Sequence, residues 1–374
     1  MTKARTNASA SPAVGRNMII NGAMNVASRL GGAVGAYANA FVNGVGSAAS
    51  GYFTVDRWLV TASGTAGRLK MRHAVDGPNG ISANSVKLEC TTADTSIAAA
   101  ELFTLTQRIE GQNLQRIGKG VAGAKQVTVS FYVKASSAFT FGCELFDIDD
   151  ERQCTKLFNT TTDWVRHEIT FPADVDDGSS PFDDNNAASL ELNFVLHAGS
   201  NFTSGTLNTA AFNNLSSANR VPGIDSFFSS TDNTLSFTGI QMEVGPVATE
   251  FEQEDIGVTL AKCQRYYYVT GPLAANDAFC LGFNGSATVA VGVTHFPVTM
   301  RADPTALEQN GTAAHYKIAH ASTTTNCSAV PAFDRATIDS GSVIFTVGSG
   351  LTTGQAVELR SNNSTAILAW ESEI

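Results

Sequence analysis

The stretch from Leu235 to Tyr268 limits the possible folds more than any other part of this chain. From Leu235 to Val244 apolar and polar residues alternate, with Leu235, Phe237, Ile240, Met242 and Val244 as the inward set. The period is two, which is that of a strand, and it slips by one residue at Gly239, which predicts a β-bulge there. Gly245-Pro246 ends the strand, because proline has no N–H to give to a ladder. Glu252 to Gln264 then carries acids at its start and Lys262 near its end, the charge order that a helix macrodipole favours. Tyr266, Tyr267 and Tyr268 open a further strand. A strand, a short helix and a new strand therefore join two β-rich regions.

Those regions show strand patterns and few helical ones. Arg68–His73, Ser85–Cys90, Ala100–Glu110, Gln126–Ala135, Phe139–Phe146, Asp163–Phe171 and Leu190–His197 read as strands before the junction. Ala287–Val298, Val343–Val347, Val357–Leu359 and Ile367–Glu371 read as strands after it. Short strands at turn-sized spacing describe a β-sandwich. The expected fold class is all-β: a jelly-roll sandwich over 16–252, a linker helix over 253–265, and a small β-rich domain over 266–374. Residues 1–15 read as a flexible arm. Asn17 to Arg29 reads as an interrupted strand broken at Asn21-Gly22, and Gly31 to Gly51, with six glycines, as a surface loop.

Charge excludes some functions. The formal net charge is −10 and charged residues make up only 16%, which argues against nucleic-acid binding as the main role, because phosphate neutralisation needs a basic surface. The acids are concentrated: Glu144 to Asp184 holds twelve, while the first fifty-five residues hold none. The uncharged run Leu30 to Val55 is broken by Gly, Asn and Ser, which argues against membrane insertion. No apolar run follows Lys3 and Arg5, so no secretory signal is expected. Cys90, Cys143, Cys154, Cys263, Cys280 and Cys327 form no CxxC pair and read as buried free thiols.

Several segments closely resemble a family of bacteriophage tail fibre proteins with a carbohydrate-binding-module-like jelly roll. Gly239-Ile240-Gln241-Met242-Glu243-Val244-Gly245, Val247-Ala248-Thr249, Phe251-Glu252 and Leu260-Ala261-Lys262-Cys263-Gln264-Arg265-Tyr266-Tyr267 match the family's boundary motif. Glu250 departs from it, standing where the family usually has proline. The opening Asn17–Arg29, the segment Tyr52–Trp58, Gln107–Gly111, the strand Val127–Ala135, Phe296–Thr305 and the final Ala369–Ile374 are similar to further segments of that family. The resemblance implies opening and closing strands side by side, with 18–27 near 235–244. It also implies a virion structural protein of the tail, assembled in the host bacterial cytoplasm. Such a fibre would be a homotrimer with Ile256, Val258 and Leu260 near its axis. It would join other tail or baseplate proteins through its N-terminal region and bind a host surface glycan or outer-membrane component. A capsid fibre or head decoration protein would share this composition; a polysaccharide-degrading tail spike is a further alternative.

No local motif points to catalysis, and no catalytic residue is expected. The histidines are scattered, none sits in a GxSxG-type signature, and no internal repeat of a β-helix is present. Receptor contact is expected from Tyr316, read as an exposed aromatic between His315 and Lys317, and from the polar loops at Asn276, Asp277, Asn310, Asn362 and Asn363. Asp147, Asp149, Asp174 and Asp176 lie in oxygen-rich loops and are candidates for a structural calcium, although neither loop has the EF-hand pattern. Asp56-Arg57 beside Trp58 reads as a structural charge pair capping the sandwich.

Overall fold

A computed structural model describes residues 15–30, 41–46, 50–175, 179–271, 274–321 and 323–374. The chain forms two compact units. One runs to Asn25 and resumes as far as Asp255; the other holds Ile256–Ile374 together with a segment that starts at Val26. The linear division 16–252, 253–265 and 266–374 does not contain that early segment, and the helix goes with the second unit. The helix is also shorter than the sequence pattern suggests: α2 spans Ile256–Gln264, and α1 is a single turn, Ser200–Thr203.

In the first unit the strands are β1 Phe41–Gly46, β2 Gly51–Tyr52, β3 Leu59–Ser63, β4 Arg68–Ala74, β5 Ser85–Thr92, β6 Leu102–Glu110 and β7 Val127–Ala135. They continue with β8 Thr140–Asp147, β9 Arg152–Asn159, β10 Val165–Phe171, β11 Ala188–Ala198, β12 Asn213–Asn214 and β13 Thr234–Val244. Among the described residues they form a six-stranded sheet, β1-β4-β5-β13-β7-β10, and a seven-stranded sheet, β12-β9-β8-β11-β6-β3-β2, with every pairing antiparallel. The chain passes repeatedly from one sheet to the other, which makes this an all-β jelly-roll sandwich. Strand β9 was missed, because Thr155-Lys156 and Leu157-Phe158 break any alternation along it. Part of the glycine-rich Gly31–Gly51 stretch is strand β1, paired with β4, where a loop was expected.

The core between the sheets is aromatic. Phe194 on β11 lies 4.8 Å from Phe131 on β7 and 4.6 Å from Phe237 on β13, ring centre to ring centre. Phe158 on β9 lies 5.0 Å from Phe131, and Trp58 packs 6.3 Å from Phe194. All five are buried, because alternation points every second side chain inward. The neighbouring Arg57 is buried at a φ of 73° and donates from Nη2 to the Arg108 carbonyl at 2.8 Å.

The expected bulge is present. The register of β13 against β7 shifts between Thr238 and Gln241, and Gly239 sits at a φ of 59°. A Cβ there would lie 2.8 Å from Ile81 and 2.9 Å from Tyr132. The opening segment meets this bulge: Met18 N donates to Met242 O at 2.9 Å, and Ile240 N to Gly22 O at 3.0 Å. The expected neighbourhood of 18–27 and 235–244 is therefore real. The opening segment is a run of turns and not a strand, with Asn21 and Met24 at positive φ.

The second unit contains β14 Tyr267–Thr270, β15 Ala278–Asn284, β16 Val289–His295, β17 Glu308–Gln309 and β18 Tyr316–His320. After these come β19 Thr323–Asn326, β20 Ala332–Thr337, β21 Ser340–Thr346, β22 Ala356–Ser361 and β23 Leu368–Glu371. Its described strands form a three-stranded sheet, β14-β23-β17, and a seven-stranded sheet, β19-β18-β22-β15-β16-β21-β20. Trp370, Phe279, Tyr316, Phe345 and Leu359 make its core. Arg29 is held inside this unit by Glu371 at 3.0 Å and Glu373 at 3.1 Å, with its guanidinium 4.0 Å from the Tyr267 ring centre.

All six cysteines are free thiols. Five are buried and Cys280 is half-buried. Burial pushes the Cys154 thiol up to about 11 and that of Cys327 up to about 12. Among the described residues no helix is long and apolar enough to cross a membrane.

Two outcomes are expected for the first unit. Gly239→Ala imposes both a left-handed backbone strain and a clash, and should lower unfolding stability by about 1–3 kcal/mol in urea titration; an unchanged midpoint would show that the bulge tolerates a side chain. The second concerns Glu89. Its burial raises the carboxyl pKa, but Arg72, Lys87 and Lys70 together outweigh this and hold it below its usual value. A carboxylate with a lowered folded pKa stabilises at neutral pH and loses that contribution as pH falls through the folded value. Calorimetry below about pH 4.3 should show a falling midpoint whose slope is shallower in Glu89→Gln.

Candidate functional site

Five of the six residues expected to touch a receptor are brought to one end of the second unit. The reason is topological. Strand β22 lies between β18 and β15 and is antiparallel to both, so the starts of β18 and β15 share an end with the finish of β22. The register pairs Tyr316 with Ser361 and Ala278 with Arg360. The loops around 274–277, 310–315 and 361–365 therefore converge.

Lys317 is the centre of this group, and sequence reasoning missed it. Its ammonium donates to the side-chain oxygens of Asn276 and Asn362, the latter at 3.1 Å. Asn362 also donates from Nδ2 to Ala314 O at 2.9 Å and from its backbone N to His315 O at 2.7 Å. Asn276 adopts a φ of 84° and donates from its backbone N to Ser361 O at 3.0 Å. Asp277 accepts the Ala274 N–H at 3.0 Å. Asn310 Nδ2 lies 2.6 Å from His315 Nδ1 and donates to Thr365 O at 2.9 Å. Asn363 accepts from Thr365 N and Thr365 Oγ1, both at 2.9 Å. Asn276 and Asp277 are exposed; Asn310, Asn362 and Asn363 are half-buried. Chemically this is a surface of amides, hydroxyls and the Asp277 carboxylate, braced from beneath by the buried Lys317 ammonium, which donates to two amide oxygens. It suits ligands rich in hydroxyl groups.

Tyr316 corrects the sixth expectation. It is fully buried, 5.9 Å from the Phe279 ring and 5.7 Å from Phe345. Its hydroxyl donates to Ile367 O at 2.8 Å and accepts from Asn310 N at 3.2 Å. The alternation of β18 turns Tyr316 and Ile318 inward and Lys317 outward, so a polar neighbour in sequence says nothing about the tyrosine's own face. Burial raises its phenol pKa. The only described role of its hydroxyl is to tie the 310 loop to the strand.

The acidic loops of the first unit carry ion pairs. Asp147 is buried and ion-paired with Lys119, which also binds Asp150 at 2.8 Å. Asp174 takes a forked bond from Arg152, at 3.0 and 2.9 Å, and a hydroxyl from Ser179 at 3.2 Å. Asp149 accepts the Asp183 backbone N–H at 3.1 Å. Asp176 lies outside the described residues. Basic side chains distant in sequence thus pair with Asp147 and Asp174. Burial raises the Asp147 carboxyl pKa and Lys119 opposes that rise.

A second polar set, not foreseen, lies on the outer face of the seven-stranded sheet of the first unit. Arg220 donates from Nε to Glu144 Oε1 at 2.8 Å, with its guanidinium 5.6 Å from the Phe146 ring and 5.7 Å from Phe202. Asn193 bridges Glu144 at 3.1 Å and Glu191 at 3.3 Å, and Arg108 holds Glu191 at 2.8 Å. The period-two pattern of β11 placed Glu191 and Asn193 on one face, but nothing local announced Arg220. Both carboxylates are committed to arginines, and the set fastens the 199–226 segment to the sheet.

No family model and no curated protein matches this chain. Some solved structures are similar to parts of it. A family 4 carbohydrate-binding module has a TM-score of 0.28 at 12% identity, covering 50% of this chain and 87% of its own. A family 11 carbohydrate-binding module from Clostridium thermocellum has a TM-score of 0.27 at 11% identity, covering 52% and 91%. A tandem family 22 domain from Paenibacillus barcinonensis has a TM-score of 0.26 at 10% identity, covering 91% and 98%. Likenesses this weak decide nothing about ligand or activity.

Tyr316→Phe should lower unfolding stability by about 1 kcal/mol, the usual net worth of a lost hydrogen bond, while leaving the polar loop end able to bind. A larger loss in thermal melts would show that the hydroxyl holds more of the loop than the two bonds described.

Proposed function

We propose that this protein is a non-enzymatic adhesive component of a phage tail, a fibre that binds a host surface glycan or outer-membrane component during adsorption. The observation that carries the reading is the convergence of Asn276, Asp277, Asn310, Asn362 and Asn363 around Lys317 at one end of the second unit. Amide and hydroxyl groups that have spare donors and acceptors at the surface match the hydroxyl-rich surface of a sugar, and the buried Lys317 ammonium beneath them ties the Asn276 and Asn362 loops together. The resemblance of the boundary and terminal motifs to tail fibre proteins supports the same reading.

The fibre is proposed to be a homotrimer that joins other tail proteins through its N-terminal region. Ile256 and Val258, on the helix expected near the axis, are exposed on the single chain, as are Leu281, Phe283 and Val293 on β15 and β16. Covering these side chains in an assembly would bury apolar area, and three tips would convert weak single contacts into firm adsorption.

Adsorption of purified protein to host cells, and to glycan extracted from them, tests this. Lys317→Ala, which unties the Asn276 and Asn362 loops, and Asn362→Ala, which removes one polar contact, should each weaken binding about tenfold, without lowering the mass in light scattering. A single-chain mass at all concentrations would overturn the trimer, and undiminished binding in both variants would remove the second unit's loop end as the contact surface.

A further inference from the structure

A cluster in the first unit belongs to neither polar set. Asp94, Glu101 and His197 each present one ligand atom, all within 4.8 Å of one another, and all three residues are buried. They come from three places: the connection after β5, the start of β6 beyond the Ala98–Glu101 turn, and the end of β11. Pairing of β11 with β6 sets His197 against Phe103, and Gly199 N donates to Glu101 O at 2.8 Å. Asp94 N donates to Phe228 O at 2.8 Å. Four segments of chain thus meet here.

The arrangement of the donors is that of ligands held from behind. Asp94 Oδ2 accepts the Thr65 hydroxyl at 2.8 Å and the Ala66 N–H at 2.7 Å. Glu101 Oε1 accepts the Ala98 N–H at 2.9 Å, and its Oε2 faces His197 Nε2 at 2.9 Å. The other ring nitrogen, Nδ1, lies 2.7 Å from Ser226 Oγ, which itself accepts the Phe228 N–H at 3.1 Å. Asp94 and Glu101 each have one carboxylate oxygen tied to the protein, and the His197 ring is tied through Nδ1 while its Nε2 faces Glu101. A ring nitrogen fixed by an outer partner is the usual setting of a metal-bound histidine.

Charge points the same way. Three other buried acids of this sandwich sit on bases: Glu144 on Arg220, Asp147 on Lys119 and Asp174 on Arg152. Among the described residues Asp94 and Glu101 have no lysine or arginine partner; one imidazole faces two carboxylates. Two buried carboxylates side by side are costly unless a cation balances them.

We propose that Asp94, Glu101 and His197 form a site for a divalent first-row transition ion, with Asp94 Oδ1, Glu101 Oε2 and His197 Nε2 as ligands and Ser226 orienting the imidazole. Mixed imidazole and carboxylate ligands suit zinc or manganese better than calcium. Bonds of roughly 2.1 Å require the donors to sit closer together than their present outer limit, a change that side-chain torsions supply. The ion would pin the 94–101 connection and the 226–228 turn to the end of β11.

The test uses the full chain without a polyhistidine tag. The protein is stripped with a chelator and then titrated with Zn²⁺ while thermal melts are recorded, and separately with Co²⁺ while visible absorption is recorded. The expected result is saturation at one ion per chain, a raised melting temperature with Zn²⁺ that the chelator reverses, and Co²⁺ d–d bands without a thiolate charge-transfer band. Ser226→Ala should keep the stoichiometry and weaken affinity about 10- to 100-fold, and His197→Gln should abolish it. If His197→Gln fails to fold, the Co²⁺ spectrum of the unaltered protein decides alone. No saturable band, a thiolate band, or full retention of the ion in folded His197→Gln would overturn the site and leave the three side chains as a proton-held cluster.

Discussion

Two stacked sheets lie about 10 Å apart, and only side chains long enough to bridge that gap can hold them together. In the first unit phenylalanines do this. Phe131 and Phe237 reach from one sheet, Phe158 and Phe194 from the other, and their edge-on and tilted contacts form a continuous seam. The position of everything else in this unit follows from that seam. It sets the inward face of each strand and so leaves Glu144, Glu191 and Asn193 on the outer face of β8 and β11. It also requires Trp58 and its neighbour Arg57 to enter the sandwich at their buried turn.

Strand β13 crosses the middle of the six-stranded sheet and carries the bulge that admits the opening segment. Gly22 and Gly239 are needed there for the same reason: a Cβ on Gly22 would lie 2.0 Å from the Ile240 carbonyl, and one on Gly239 would strike Ile81 and Tyr132. The close approach places Asn17, whose side-chain oxygen takes the Met242 N–H at 3.0 Å and whose amide donates to Ile240 O at 3.2 Å. Backbone groups left open by the bulge are thereby satisfied from a segment more than two hundred residues away.

Buried charge is handled in two ways. Acids on the sheet faces and in the long loops meet lysines and arginines, which turns oxygen-rich loops into internal ion pairs. Among the described residues the Asp94, Glu101 and His197 group has no such base and gathers its polarity around a shared point. In the second unit a buried ammonium, Lys317, is satisfied by amide oxygens of two converging loops. That choice leaves the loop end polar but without a carboxylate at its centre.

Local periodicity made the all-β class, the bulge at Gly239, the short helix before the tyrosines and the buried thiols legible in advance, since each depends on residues a few positions apart. Strand β9 lacks a clean period of two and the strand inside the glycine-rich stretch is built largely of small residues, so both are specified by their partners more than by their own pattern. The asparagine loops were recognisable as polar turns. Their meeting around Lys317 was not, because it follows from the order β18-β22-β15 in the sheet. Tyr316 was misplaced for the converse reason: its polar neighbours in sequence lie on the opposite side of the pleat. The sequence by itself determined which residues alternate, turn and bulge, because those choices are made within a few peptide units. Only the tertiary structure decided which acids meet bases, which meet a histidine, and which loops share an end, because contacts between distant segments exist only once the sheets have paired.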